Sequence, residues 1–286
     1  DLKSKIILIY GPTASGKSEF ALKLAKKIKG EIVNADSMQV YKDLKILTAR
    51  PFKKNLKRIK HHLYGFQDSK KNFSTGDWLK LAISKIKEIR SKKKIPILVG
   101  GTGLYFKALT DGLVEIPKIP LKSRNQIRKL QKDIGQKKFY EKLLKIDPSV
   151  ENHINPTDVQ RSIRAYEVKI FTKKSLKNWY KKTNSNFEKG SFYKIIINYP
   201  RLLLIEKIKN RARQMIDIGA VLEVKKFLNL KIPKSKSISK AIGIGEIQEF
   251  IKNFINKEEL IEKISIKTRQ YAKRQSTWAR GNMQNW

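Results

Sequence analysis

The chain of 286 residues has no cysteine, and it has only 25 Asp and Glu residues against 64 Lys and Arg residues. Without cysteine it has neither a disulfide framework nor a thiolate zinc site, and nothing requires an oxidising compartment. No apolar run approaches the roughly 18 residues of a membrane span. Residues 1–5 lead directly into a strand-like segment, and no export signal is visible. We therefore expect a cytoplasmic protein with no membrane partner and a well-buried core.

The formal net charge of +39 is the strongest signal in the composition. A surface of this kind attracts polyanions and speeds association with them, which makes nucleic acid the first candidate partner. The alternative is that A/T-rich codons enrich Lys, Ile and Asn, so that many lysines only coat solvated faces. That alternative does not explain the arginines well, because they cluster in a few segments.

Short apolar segments alternate with helical patterns in the first hundred residues. The segments are Lys5–Tyr10, Glu31–Ala35 and Ile95–Val99. One helix is predicted after the first segment, ending at Gly30, and another over Trp78–Arg90. Strands that alternate with helices predict a parallel, doubly wound α/β sheet.

The pattern changes from residue 113, where polar, Lys-rich segments with helical spacing begin. It returns to a strand pattern at Phe192–Asn198, which we interpret as another core strand. We therefore predict that residues 1–112 form the first part of the α/β core, that 113–190 form an all-helical insertion, and that 191–286 return to the core and end in helices.

A phosphate-binding loop is predicted between the first strand and the first helix. The segment reads Gly-Pro-Thr-Ala-Ser-Gly-Lys-Ser and fits the pattern G-x-x-x-x-G-K-[ST]. In such a loop, backbone N–H groups and the helix N-terminus face the phosphates, Lys17 adds a positive charge and Ser18 holds Mg²⁺. The candidate phosphate ligands are Gly11, Pro12, Thr13, Ala14, Ser15, Gly16, Lys17 and Ser18.

The ends of two strands predict what lies beside the phosphate. The strand at Ile95–Val99 ends in Gly100–Gly103, where many P-loop hydrolases have a metal-binding Asp. The second strand ends at Asp36 instead. Ligands bind beyond the carboxyl ends of parallel strands, so this carboxylate is expected to accept a proton from a nucleophile. The alternatives are a helix cap or a water-mediated Mg²⁺ ligand for Asp36, and an ordinary tight turn for the glycines.

Longer segments resemble the tRNA dimethylallyltransferase family. Gly11–Ser18, Asn34–Tyr41 and Val99–Tyr105 carry the resemblance first. It continues in the family's order through Ile46–Pro51, His61–Leu63, Ile146–Pro148, Asp158–Arg164 and Thr268–Trp278. The likeness therefore runs from about residue 6 to residue 280. It implies a P-loop NTPase-like core with an all-helical insertion, in the shorter bacterial form.

The resemblance implies transfer of a dimethylallyl group from dimethylallyl diphosphate to the N6 amine of the adenine on the 3′ side of a tRNA anticodon. The phosphate-binding loop would hold the diphosphate, and Mg²⁺ would neutralise the departing pyrophosphate. Asp36 is the expected general base, with Thr102 and Arg124 as further catalytic residues near the reacting centre. Arg128 is a neighbouring alternative to Arg124. The adenine would be extruded from the stacked anticodon loop.

The resemblance also implies that the insertion clamps the anticodon stem-loop. The expected tRNA-binding residues are Asp36, Ser37, Met38, Gln39, Thr102, Arg124, Gln160, Arg161, Ser162, Ile163 and Arg164. For Gln160 the alternative is a capping box with Thr157. Tyr271 and Trp278 lie on a basic C-terminal helix, and we expect core aromatics whose basic neighbours face RNA.

Several features leave other interpretations open. His61 and His62 are adjacent and have no third ligand at useful spacing, so we interpret them as structural or substrate-lining. Lys60 stands where the family usually has Pro, and Gly243-Ile244-Gly245 departs from the usual segment. Both departures bear on loop geometry and RNA contacts.

Two other functions compete with the transferase. An RNA-directed P-loop kinase or ATPase would release phosphate from ATP, and the missing Asp after Val99 argues against it. A non-catalytic RNA-binding protein would keep the basic surfaces without Thr13, Lys17, Asp36 and Thr102, which are all present. We expect a monomer with no obligate protein partner.

Overall fold

The computed structural model describes residues 5–51, 59–181 and 183–286. The chain forms two compact units. The core unit comprises Asp1–Thr110 and Asn186–Trp286, and the insertion unit comprises Asp111–Ser185. Within the described ranges, none of the helices has the length and apolar character that a membrane span requires.

The core unit contains a five-stranded sheet. Its strands in chain order are β1 (Ile6–Tyr10), β2 (Gly30–Asn34), β3 (His61–His62), β4 (Ile95–Gly100) and β5 (Phe192–Ile196). Their order in the sheet is β3-β2-β4-β1-β5, and every neighbouring pair is parallel. Strands β1, β2 and β4 are buried along their whole length, as expected for central parallel strands. The predicted P-loop NTPase-like α/β class is confirmed.

Helices surround this sheet and build the insertion unit. Those described are α1 (Lys17–Lys27), α2 (Thr75–Ser91), α3 (Gly103–Thr110), α4 (Leu121–Ile146), α5 (Val159–Thr172), α6 (Leu176–Tyr180), α7 (Arg201–Asp217), α8 (Ala220–Asn229), α9 (Ile244–Ile251) and α10 (Lys257–Asn282). Helices α4 to α6 belong to the insertion unit, and the other helices belong to the core unit.

Helices α1 and α2 fix the strand ends that carry the candidate site. The small side chains of Ala21 and Ala25 are fully buried, so α1 packs closely on the apolar face of the sheet. Helix α2 begins with a capping box, in which Ser74 N donates to Asp77 Oδ2 at 2.9 Å and Asp77 N donates to Ser74 Oγ at 3.1 Å. Its Trp78 Nε1 donates to Asn34 O at 2.8 Å and thereby anchors the end of β2.

The insertion unit has an apolar core of its own. Helix α4 bends at Gly135, whose φ of 77° interrupts the helical backbone, and then continues to residue 146. Its second half packs against α5. The buried core residues there include Phe139, Leu143, Ala165 and Val168, all fully enclosed.

The predicted end of α1 is wrong in one detail. Gly30 does not terminate the helix but opens β2, and Lys29 takes the left-handed position with φ 55°. Glycine is needed at position 30 for a different reason. A Cβ there would lie 2.6 Å from Ile97 Cδ1 and 3.0 Å from Ile95 O, so a side chain would separate β2 from β4.

The predicted capping box at Thr157 is also wrong. The cap of α5 is Asp158, whose Oδ1 accepts from Arg161 N at 3.0 Å. The Thr157 hydroxyl donates to Asn155 Oδ1 instead, at 2.8 Å. Gln160 is exposed and has no capping role.

The strand predicted at Phe192–Asn198 is present as β5, which joins the core sheet at its edge. It pairs only with β1 in the sheet order, and Tyr193 is 51% exposed on it. Strand β3, formed by two residues, was not predicted at all, because two residues carry no periodic pattern.

Candidate active site

The loop between β1 and α1 has the backbone shape of a phosphate cradle. Ala14 and Gly16 adopt left-handed φ values of 64° and 84°, which turns the chain sharply before the helix begins. A Cβ on Gly11 would lie 2.7 Å from Ser15 Oγ and 3.1 Å from Ile197 Cβ, so only glycine lets the loop close there. The Lys17 ammonium folds back and donates to Pro12 O at 3.1 Å.

The polar groups of this loop suit an anionic ligand. Ser15 Oγ is buried and has no hydrogen-bond partner within the part of the chain that is described. A buried hydroxyl without a partner is costly, so a phosphate oxygen that accepts from it is favourable. Ser18 is exposed in the first turn of α1, so its hydroxyl is accessible to a ligand at the loop.

Asp36 lies directly beyond the end of β2, in a short hydrogen-bonded turn. Its N–H donates to Asn34 Oδ1 at 2.9 Å, and its Oδ1 accepts from Met38 N at 2.9 Å. Among the residues that the structure describes, Oδ2 has no hydrogen-bond partner. The carboxylate is therefore held by one oxygen, and the other is available to accept a proton.

The ends of β2 and β4 are joined beside Asp36. Ser37 N donates to Thr102 Oγ1 at 3.0 Å, and Thr102 N donates to Ala35 O at 3.2 Å. A Cβ at Gly100 would lie 2.0 Å from Ala35 O, so no side chain fits at that position. The backbone of Ala35 thus occupies the place from which a hydrolase would extend its metal-binding Asp.

The phosphate-binding loop and Asp36 lie in one electrostatic environment. Desolvation lowers the pKa of Lys17 to about 8, and the charge of Asp36 partly opposes that shift. Burial raises the pKa values of Tyr105 and Tyr271, and the negative charge of Asp36 raises them further. Both phenols therefore stay protonated near the carboxylate.

Arg211 is a site residue that the sequence did not indicate. Its Nη1 donates to Thr13 Oγ1 at 3.2 Å, so α7 contributes a second cation to the loop. Burial lowers its pKa, and the charge of Asp36 opposes this effect. The sequence of α7 contains several other cations, so nothing distinguished this arginine before the fold was known.

The segment after Asp36 is tied to the following loop. Gln39 Nε2 donates to Thr48 O at 2.9 Å and to Ala49 O at 3.1 Å, so its amide donor already serves this loop. From α8, the Glu223 carboxylate accepts the backbone N–H groups of residues 45–47 at 2.7–3.0 Å. Met38 packs on the apolar cluster beneath. Two segments of the family likeness, 34–41 and 46–51, therefore form one hydrogen-bonded surface.

In the insertion unit, three arginines surround one buried carboxylate. Glu167 is 1% exposed, and its oxygens lie 3.5 Å from Arg124 Nε, 3.7 Å from Arg128 Nε and 3.5 Å from Arg164 Nη1. Arg124 Nε and Glu167 Oε1 are buried and lack a hydrogen-bond partner among the described residues. With three arginines and one carboxylate, the cluster has a net positive charge and is suited to bind an anion. It contains both Arg124 and Arg128, the two alternatives left open by the sequence.

The structure separates the predicted tRNA-binding run on α5 into two sets. Ser162 and Ile163 are buried within the insertion unit, where Ser162 Oγ donates to Asp158 O at 2.7 Å. Gln160 and Arg161 are exposed, and Arg164 is partly exposed. Only these three offer side chains to a ligand.

The two adjacent histidines have structural partners. His62 is buried and pairs through Nε2 with Glu31 Oε2 at 2.7 Å, while Lys94 donates to Glu31 Oε1 at 2.7 Å. His61 Nδ1 lies 2.7 Å from Ile59 O. Across the described ranges, no group of three His, Cys, Asp or Glu residues is arranged to hold a metal.

Comparisons with known proteins confirm the resemblance. The model of the family described as IPP transferase matches residues 39–282. A tRNA dimethylallyltransferase of Pelagibacter ubique is 60% identical over 286 residues, covering 100% of this chain and 91% of that protein.

Similarity to solved structures supports the same family. The full-length tRNA isopentenylpyrophosphate transferase from Bacillus halodurans is 32% identical with a TM-score of 0.66, covering 97% of this chain and 87% of that one. A eukaryotic dimethylallyltransferase acting on tRNA is 27% identical with a TM-score of 0.84, covering 96% of this chain and 69% of that one. This chain belongs to the tRNA dimethylallyltransferase family.

Proposed function

We propose that this chain transfers a dimethylallyl group from dimethylallyl diphosphate to the N6 amine of the adenine on the 3′ side of a tRNA anticodon, releasing diphosphate. One observation carries the proposal. A phosphate cradle and the carboxylate of Asp36 lie beside each other, while the close approach of Gly100 to Ala35 leaves no room for a hydrolase Asp. This arrangement suits displacement of a diphosphate better than hydrolysis of a nucleotide.

In this proposal the donor's diphosphate occupies the loop from Gly11 to Ser18. Backbone N–H groups and the N-terminus of α1 face its oxygens, and Lys17 and Arg211 supply positive charge. Ser18 would hold Mg²⁺, which would supply positive charge to neutralise the leaving diphosphate. Lys17 and Arg211 stabilise the same charge from the protein side, where it develops as the carbon–oxygen bond breaks.

The acceptor amine approaches from the side of Asp36. Its nitrogen forms a bond to the allylic carbon, the bond from that carbon to the diphosphate oxygen breaks, and the electron pair leaves with the diphosphate. Asp36 accepts the proton that the amine loses. Because an aromatic amine is a weak nucleophile, alignment and proton removal both contribute to the rate. Thr102 holds the adjoining Ser37 backbone in place.

The RNA is proposed to be held by the surface at residues 37–39 and by the insertion unit. Supporting this, Arg124, Arg128 and Arg164 form one positive cluster around Glu167. Arginine forks bind phosphate oxygens in pairs of hydrogen bonds. The target adenine leaves its stack to reach the amine position. We further propose that the protein is a monomer. We also propose that it is cytoplasmic, because its tRNA substrate is in the cytoplasm.

The test is transfer of radiolabelled dimethylallyl diphosphate to an unmodified anticodon stem-loop in the presence of Mg²⁺. Two stem-loops are compared, which differ only in adenine or guanine at the target position. We expect label to enter the adenine stem-loop alone, with release of diphosphate. No incorporation into either RNA, together with RNA-stimulated release of phosphate from ATP, would replace the transferase with a nucleotide hydrolase.

A further inference from the structure

The side chain of Gln275 connects the two halves of the candidate active site. This residue lies on α10 and is buried, with 5% of its surface exposed. Its Oε1 accepts from Thr13 N in the phosphate-binding loop at 2.8 Å. Its Nε2 donates to Gly101 O in the turn after β4, also at 2.8 Å. A single amide therefore bonds the loop that binds the donor to the turn that carries Thr102.

The backbone of the same residue is also anchored. Tyr10 Oη, at the end of β1, donates to Gln275 O at 2.8 Å. One turn farther along α10, the ring of Trp278 lies so close to Gly103 that a Cβ there would be 2.1 Å from it. These contacts hold α10 at Gln275 and one turn beyond it, so its amide has little freedom to move.

We propose that Gln275 is a positioning residue that sets the distance between the donor's diphosphate and the acceptor amine. On the donor side, the Thr13 hydroxyl accepts from Arg211 Nη1, and the Thr13 N–H donates to Gln275 Oε1. On the acceptor side, Gly101 precedes Thr102, which holds Ser37 next to Asp36. The inference rests on the proposed function, because it concerns alignment within that reaction.

The chemistry of the amide explains why glutamine suits this position. One end must accept from an N–H and the other must donate to a carbonyl, and the oxygen and nitrogen of an amide side chain do this from one planar group. Glutamate would keep the contact to Thr13 N but place an oxygen against Gly101 O, and it would add negative charge near the diphosphate. Methionine has a similar length and forms neither hydrogen bond.

A loss of alignment has a recognisable kinetic result. Misplacement of a substrate by about 1 Å lowers turnover by up to about 100-fold, even where each substrate still binds. We therefore expect Gln275→Met to lower the single-turnover rate constant by about 10- to 100-fold. The Kd values for inorganic pyrophosphate with Mg²⁺ and for the stem-loop, each measured alone, are expected to change by less than about threefold.

Two further variants make the test specific. Gln270→Met is the matched control, because Gln270 is exposed on the same helix and should leave all three measurements unchanged. Gly101→Ala disturbs the same link from the other side. Its Cβ would lie 2.1 Å from Gln275 Nε2 and 3.1 Å from Gly11 O, and Gly101 has no positive φ. Alanine thus mainly displaces the amide end.

If Gln275 acts through this link, Gly101→Ala lowers the single-turnover rate in the same way, and the double variant is no slower than Gln275→Met alone. Additive losses would overturn the proposal, as would near-normal turnover in Gln275→Met. A parallel loss of pyrophosphate binding and turnover would reduce Gln275 to a support of the phosphate-binding loop and also overturn it. Failure of the unmodified enzyme to transfer label would instead refute the proposed function itself. Should Gln275→Met not fold, Gly101→Ala is measured alone: a slower single turnover with unchanged pyrophosphate binding supports the proposal, and near-normal turnover or a parallel loss of pyrophosphate binding overturns it.

Discussion

Arg211 Nη1 donates a hydrogen bond to Thr13 Oγ1 at 3.2 Å, which brings α7 to the phosphate-binding loop across 198 positions of sequence. The two residues come from the two separate chain segments of the core unit. Their contact places a second, partly buried cation near Lys17, whose pKa it helps to lower. Two adjacent cations that repel each other are stabilised when a polyanion binds between them.

Arg211→Gln should therefore weaken donor binding. We expect the KM for dimethylallyl diphosphate to rise by about 10- to 100-fold, since a charge-assisted hydrogen bond is lost at a desolvated site. The KM for the stem-loop should stay nearly constant. Arg213→Gln on the exposed side of the same helix is the control. An unchanged donor KM in Arg211→Gln would remove this residue from the diphosphate site.

Lys17 gives the reaction a pH dependence on the alkaline side. With its pKa lowered to about 8 from 10.5, the free enzyme carries the charged ammonium below pH 8 and loses it above. The diphosphate needs that charge, so kcat/KM for the donor should fall by about tenfold for each pH unit above the pKa. The measurement is kcat/KM at saturating RNA between roughly pH 7 and pH 9.5.

Lys17→Arg serves as the comparison in that titration, because a guanidinium keeps its charge throughout the range. In the variant, kcat/KM for the donor should no longer fall above pH 8, whatever the absolute activity of the variant. A profile of the unmodified enzyme that stays flat up to about pH 9.5 would contradict the lowered pKa.

Thr102 is expected to act through the hydroxyl that accepts from Ser37 N. Thr102→Val keeps the shape of the side chain and removes this acceptor, leaving the N–H without its partner. A loss of about 1–3 kcal/mol corresponds to a fall of about 5- to 150-fold in kcat/KM for the stem-loop. Thr102→Ser keeps the hydroxyl and should retain most of the activity. If valine and serine variants behave alike, the hydroxyl has no role.

Arg124 and Arg128 share the carboxylate of Glu167, so we expect both to contribute to RNA binding. Arg124→Gln and Arg128→Gln should each weaken stem-loop binding and reduce the slope of log K against log salt by about 1. Lys129→Gln, at an exposed position beside Arg128, controls for the general effect of removing a charge. An equal change in all three variants would indicate bulk charge instead of a defined cluster.

Much of the core unit could be predicted because its signals are local. Strands β1 and β4 are almost continuous apolar runs, and the phosphate-binding loop is defined by eight consecutive residues. Asp36 follows directly from the position of a strand end in a parallel sheet, whereas Thr102 was indicated by the family resemblance. These inferences depend on neighbours in sequence and on one general property of the fold.

What could not be predicted depends on contacts between distant residues. Gly30 was interpreted as a helix end. In the structure it opens β2, where a Cβ would lie 2.6 Å from Ile97 Cδ1 on the neighbouring strand. Arg211 resembles any other cation of a basic helix until its contact with Thr13 is known. Gln275 lies inside a segment of the family likeness, yet no local pattern indicated the partners of its amide. The buried Glu167 likewise has no local signal.

The most direct test of the account is Asp36→Asn, measured by transfer of labelled dimethylallyl diphosphate to the adenine stem-loop in a single turnover. Asparagine keeps an oxygen that can accept from Met38 N but cannot take the amine's proton at neutral pH. The account predicts that pyrophosphate and stem-loop binding are retained while the rate falls by about 100- to 10,000-fold, the range of general base catalysis. A near-normal rate with intact binding would contradict it and remove Asp36 from the role of base.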